Sequence, residues 1–175
     1  MGQAVAAGQP IGRVGLSGQT EFAHVHLTVR HAGAVVDPFA PGPGATPLWT
    51  PAALKALAYK PGAVLNLGFA SGPVTMEAVE AGAIAPPGID SPALVAYGRA
   101  IELEVGDEVT LRLTGPDGAV LAQQQMRLDH DKAQSLLFAG RKRPAGGWVR
   151  GAYRADYTVN RGGRTVLSQS ASLGL

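Results

Sequence analysis

The chain has 175 residues, 46% of them hydrophobic and 16% charged, with 24 glycines, 13 prolines and a formal net charge of +2. That length and apolar content suffice for one large domain, or for a small piece beside a domain of about 110–130 residues, and the Gly/Pro-rich, charge-poor composition favours short strands joined by turns. The lack of cysteine excludes disulfides and Cys-based zinc knuckles, no apolar run reaches the ~18 residues that span a bilayer, and Met1-Gly2-Gln3-Ala4 has no basic start of a signal peptide.

Residues 1 to about 16 read as turns around one short strand. Glycines at 8, 12, 15 and 18 surround Ile11 and Val14; their spacing is not the dinucleotide-binding fingerprint, and tight turns are the simpler use for them. From Ala23 to Val29 the pattern alternates like a strand, with His24, His26 and Thr28 on one face and Val25, Leu27 and Val29 on the other. A hairpin turn is predicted at Ala32-Gly33, followed by a short strand that stops before Pro38, and the β-unit closes near Ala40.

The stretch 40–47, "APGPGATP", has linker composition. Thr50 followed by Pro51 is a start signal for a short helix over 50–59. Beyond residue 62, seven strand-like segments alternate with turns such as Gly115-Pro116-Asp117-Gly118 and Arg161-Gly162-Gly163, and residues 75–84 read as a second short helix. The expected fold class is all-β: a β-unit over 1–41, a linker with a short helix over 42–60, and an immunoglobulin-like β-sandwich over 61–175, with one or two short helices. In the segment 148–159, Tyr153 and Tyr157 are expected in the core; Trp148, Arg150 and Arg154 share the opposite parity.

The small net charge hides an asymmetry. Residues 77–131 carry ten acidic and three basic side chains, and residues 132–175 carry eight basic and one acidic. Pairing between neighbouring strands is the economical explanation. A basic face for an anionic polymer is the alternative, but no interleaved aromatic pattern supports nucleic acid.

Two imidazoles at i and i+2 on one strand face suit a metal ligand beside a proton-handling group. Their surroundings add to this. Ile11-Gly12, Val14-Gly15, Ser17-Gly18, His24-Val25-His26, Arg30 and Val36-Asp37-Pro38 stand in the order and spacing of a recognisable segment. Residues 11–39 resemble the closing part of the LytM and lysostaphin-type zinc metallopeptidases, which cleave peptide bonds in peptidoglycan. The resemblance covers about a sixth of the chain. It implies that His26 is a zinc ligand, that His24 assists the metal-bound water and the charged transition state, that zinc is the cofactor, and that peptidoglycan peptide stems are the substrate. It also implies a periplasmic or cell-envelope location and leaves room for a regulatory protein partner.

Ala23 stands where that family has Pro or Gly, and Thr28 where Glu is common. The family's other ligands, in a His-x-x-x-Asp motif, precede the Gly-rich segment, yet the ten residues before Ile11 hold no His, Asp or Glu. His31 is expected beside the hairpin turn, His130 in a charged turn, and Asp37 as a turn former. The expectation is therefore the C-terminal part of a larger exported enzyme, with Met1 an internal or mis-assigned start, inactive as an isolated chain. The competing class is a non-catalytic cell-wall or protein-binding module. A third class, a lipoyl- or biotinyl-like hairpin, would need an exposed Lys at the hairpin tip, and residues 1–54 contain no lysine.

Overall fold

The computed structural model describes residues 4–15, 18–20, 23–58, 60 and 62–175. The chain divides into two compact units, Met1–Tyr59 and Lys60–Leu175. Ser17 of the glycine-rich motif and Tyr59 of the expected helix lie outside the described residues.

In the first unit the regular structure is a hairpin of β1 (Val29–His31) and β2 (Ala34–Val36), followed by α1 (Pro51–Ala56). Ala32 and Gly33 both take positive φ, 48° and 83°, the backbone that a two-residue hairpin turn demands. Thr50 caps α1 by accepting the Ala53 N–H, with Pro51 opening the helix. Residues 23–28 differ from the expected strand: they form no ladder among the described residues, and pairing begins only at Val29. Alternation decides which way side chains point, but a strand exists only where a neighbour takes up its backbone hydrogen bonds, and β2 is three residues long.

The second unit is a two-sheet antiparallel sandwich. One sheet has the order β3 (Ala63–Ala70), β4 (Ala93–Leu103), β7 (Lys132–Lys142); the other has β6 (Val120–Arg127), β5 (Glu108–Thr114), β8 (Ala152–Arg161), β9 (Arg164–Gly174). The chain crosses between the sheets after β4, after β6 and after β7. Alternate residues of each central strand enter the core: Leu94, Ala96 and Ala100 of β4, Val109, Leu111 and Leu113 of β5, Tyr153, Ala155, Tyr157 and Val159 of β8. The helix α2 (Met76–Glu80) covers the outer face of the three-stranded sheet, burying Val79 with Ala70 and Val74 against Val95, Tyr97 and Leu136. Beneath it Arg99 is buried, its guanidinium donating to Glu80 Oε1 at 2.7 Å and to Gln134 Oε1 at 2.9 Å. Among the described residues, no helix is long and apolar enough to cross a membrane.

The tyrosines of β8 are in the core and Arg154 is exposed, as the parity requires. Trp148 departs from its expected face: it is buried, packs edge-on against Tyr153 at 6.2 Å, and donates from Nε1 to the Ser91 carbonyl at 2.8 Å. Strand β8 begins only at Ala152, so strand parity does not extend back to Trp148. The acidic and basic halves pair between neighbouring strands as expected, Arg161 at the end of β8 with Asp107 just before β5, and Arg143 just after β7 with Asp90 ahead of β4.

Tyr157 is fully buried and, among the described residues, its hydroxyl has no hydrogen-bond partner. Burial, with the Asp107 charge second, pushes its pKa well above the usual tyrosine range. Removing an unsatisfied buried hydroxyl relieves a desolvation cost, so Tyr157→Phe is expected to stabilise the sandwich by about 1 kcal/mol. The check is an upward shift of the urea midpoint with an unchanged slope.

Candidate functional site

The motif residues of the first unit surround one open cleft of about 630 Å³, lined by Ile11–Gly15, Gly18–Thr20 and His24–His26. Glycines shape it, with Gly18 at φ 84°, a backbone that side-chain-bearing residues rarely adopt. Although residues 23–28 are not a strand, His24 and His26 line the same cleft. His24 Nδ1 lies 3.1 Å from Thr20 Oγ1, and His26 Nε2 lies 3.0 Å from Thr28 Oγ1. In each pair the tautomer decides which partner donates. Thr28, where the resembling family commonly has Glu, thus orients His26.

The remaining sequence candidates are not among the residues lining this cleft. His31 sits at the end of β1, exposed and opposite Ala34. Asp37 is a turn former, its Oδ1 accepting the Phe39 N–H at 2.8 Å, and Arg30 donates to the Gly33 carbonyl across the hairpin. In the second unit, His130 Nδ1 lies 2.6 Å from Asp129 Oδ1, and this contact holds the Asp129 pKa below its ordinary value. Asp131 accepts the Val105 N–H at 2.7 Å. The "DHD" stretch is accordingly a charged turn, as the sequence suggested.

A catalytic zinc site needs three protein ligands with an open fourth position. Among the described residues no group of three His, Cys, Asp or Glu side chains could hold a metal ion, and the cleft offers two imidazoles, already bonded to Thr20 and Thr28. The described residues alone therefore do not fit the ion that the family resemblance implies.

The described residues of the first unit also form no buried core. None of its described residues is buried, and Ile11, Val14, Val25 and Leu27 are 84%, 58%, 78% and 61% exposed. Apolar side chains at that exposure, bracketing both histidines in the chain, leave the described residues of this unit without the burial that fixes a functional constellation. The sequence pass missed a different kind of feature in the second unit. The buried Arg99 with Glu80 and Gln134, and Asp107 with Arg161, join residues 19 to 54 positions apart, and no local pattern announces them.

No family model matches the chain, and no curated protein is significantly similar to it. Among solved structures, it has a likeness to the Parabacteroides merdae β-glucuronidase at 11% identity and a TM-score of 0.42, covering 65% of this chain and 14% of that one. A second likeness is to a β-glucuronidase of glycoside hydrolase family 2, at 10% identity and a TM-score of 0.33, covering 47% of this chain and 10% of that one. The chain thus spans a small fraction of either enzyme, and at these scores the likenesses carry no argument about activity.

Proposed function

We propose that this chain is the C-terminal part of a LytM-type peptidoglycan endopeptidase, followed by an accessory sandwich of immunoglobulin type. The observation that carries this reading is the gathering of His24, His26 and the glycine-rich segment around one cleft, directly ahead of a hairpin that ends in Val36-Asp37-Pro38. In this reading His26 contributes one ligand to a zinc site completed by residues other than those described. Zinc would supply an acidified water and polarise the scissile carbonyl. His24 would donate a hydrogen bond to the peptide carbonyl oxygen as it gains charge, and Thr20 and Thr28 hold the two imidazoles in place. The bare apolar surface around the cleft supports the same reading, since the site would be assembled only when that surface is covered. The immunoglobulin-type reading is supported by the strand order of the two sheets and by Tyr153, near the start of β8, donating from its hydroxyl back to the Val149 carbonyl at 2.8 Å.

The test is to read the coding DNA on the 5′ side of Met1 in the same frame. A His-x-x-x-Asp motif within a Gly-rich β-pattern is the expected result; a stop codon close upstream overturns the proposal. A second reading is a non-catalytic wall- or protein-binding module, and the same stop codon would support it. Under the leading reading, the purified 175-residue chain should cleave no peptidoglycan and retain well under one zinc per chain after dialysis. Metal analysis by mass spectrometry beside a turbidity assay on cell walls checks this, and zinc-dependent clearing would contradict it.

A further inference from the structure

One end of the sandwich holds two opposite charges that do not pair with each other. Ser135, Leu137 and Ala139 are the buried, inward positions of β7, and alternation puts Arg141 on the same side, opposite the buried Leu94 of β4. There Arg141 borders a hollow of about 120 Å³, walled by Pro116, Leu121, Trp148, Val149 and Tyr153, with Asp117 as the second charged residue of the lining. The walls are held by the fold itself. Trp148 Nε1 donates to the Ser91 carbonyl and the Tyr153 hydroxyl to the Val149 carbonyl, both at 2.8 Å. Gly151 lets Pro116 seat against the start of β8, because a Cβ there would lie 2.7 Å from Pro116 Cβ. Arg141 and Asp117 are both exposed, and neither has an ion-pair partner among the described residues. Asp117 Oδ1 accepts the Ala119 N–H of its own turn at 3.0 Å, and the neighbouring Arg143 is taken by Asp90 at 3.0 Å.

We infer that this hollow binds a free amino acid with a small branched apolar side chain: the side chain fills the hollow, the carboxylate pairs with Arg141, and the ammonium pairs with Asp117. Each part of the ligand answers a feature of the site. Aliphatic and aromatic walls disfavour a polar group without partners, and 120 Å³ is the share of about four water molecules, room for the side chain of valine or leucine but not for an indole. The arginine fork binds a carboxylate through two hydrogen bonds. A simple anion would bring its charge beside the Asp117 carboxylate and a simple cation beside Arg141, whereas a zwitterion meets each with its opposite. A residue inside a peptide carries neither backbone charge and a peptide terminus only one, so the complement is a free amino acid. The inference does not rest on the peptidase reading, because no residue of the first unit takes part.

The test titrates the isotope-labelled, full 175-residue chain with L-leucine at low salt and follows the Trp148 indole N–H and the Leu121 methyl groups by NMR. Saturable shifts at millimolar ligand are expected. N-acetyl-L-leucine, which lacks the ammonium, and L-leucinamide, which lacks the carboxylate, should each bind about fivefold more weakly. Glycine, with nothing to place in the hollow, should leave both signals unmoved. Arg141→Gln should weaken leucine binding by a similar factor, as should Asp117→Asn, which keeps an oxygen for the Ala119 N–H. Arg164→Gln, where β9 starts at the other end of β8, should leave it unchanged. The ligand-side changes keep the test valid even if a protein variant folds poorly. No shift at tens of millimolar leucine, shifts produced equally by glycine, or undiminished binding by Arg141→Gln or Asp117→Asn overturns the inference. So does N-acetyl-L-leucine binding as tightly as leucine, which would assign the hollow to apolar carboxylates at large, and so does equal binding of L-leucinamide, which would assign it to apolar amines.

Discussion

Asp107→Ala is expected to cost the sandwich about 3 kcal/mol, the lower end of what breaking a buried ion pair does, and to lower its melting temperature by roughly 10–15 °C. Asp107 is wholly inaccessible to solvent. One carboxylate oxygen accepts Arg161 Nε at 2.8 Å, and the other accepts Arg161 Nη2 at 2.9 Å together with the Glu104 N–H at 2.9 Å. Truncation would take the acceptors from Arg161 Nε and Nη2, on a guanidinium that is only 23% exposed and keeps Glu104 as its carboxylate partner among the described residues, and leave a loop amide without its acceptor. Asp107→Asn keeps one acceptor oxygen and should cost less.

The same contacts set a pH dependence. Hydrogen bonds from Arg161, opposed by burial, hold the Asp107 pKa below its ordinary value. A depressed carboxylate contributes its full stabilisation above the ordinary value, about 3.9, and loses it as pH falls from there through the folded-state pKa. Between pH 5 and pH 2 the stability of Asp107→Asn should therefore fall less steeply than that of the natural chain. Urea melts across that range, with identical curves for the two proteins as the adverse result, decide the matter.

What could be read from the sequence follows from how far each signal reaches along the chain. Strand faces in β4, β5 and β8 are set by alternation, which is local, so the burial of Tyr157 and the exposure of Arg154 were both legible. Caps and tight turns are local as well: Thr50-Pro51 opens α1 and Ala32-Gly33 turns the hairpin, as expected. The two histidines share a cleft, but so does Val25 between them, so the placement does not follow from alternation. Residues 23–28 mark the limit, because strand formation is decided by a partner elsewhere in the chain. Trp148 shows the same limit from another side, since parity is informative only within the strand that generates it. At Glu102 the backbone turns to φ 55°, and Leu103, which alternation would send outward with Ile101, is buried in the core instead. The pair Asp107–Arg161 spans 54 positions, and sequence alone could say only that opposite charges in the two halves would meet.

Gly98 offers the sharpest test of the packing between the sheets. It lies on the inner face of β4, where a Cβ would sit 2.3 Å from Tyr157 Cδ2 and 2.8 Å from Cε2. The tyrosine cannot step aside, being fully buried among the side chains of the main core, and the β4 backbone is tied by ladders to β3 on one side and β7 on the other. Gly98→Ala is therefore expected to destabilise the sandwich by about 3 kcal/mol through overpacking alone. Gly88→Ala, where an added Cβ meets nothing within 4 Å, should change stability by less than about 0.5 kcal/mol. If the ring is the cause, shrinking it must relieve the clash: in a double-mutant cycle Gly98→Ala should cost much less in a Tyr157→Leu background than alone. Strict additivity of the two substitutions in calorimetric melts would place the cost in the strand backbone and refute the close approach of β4 and β8.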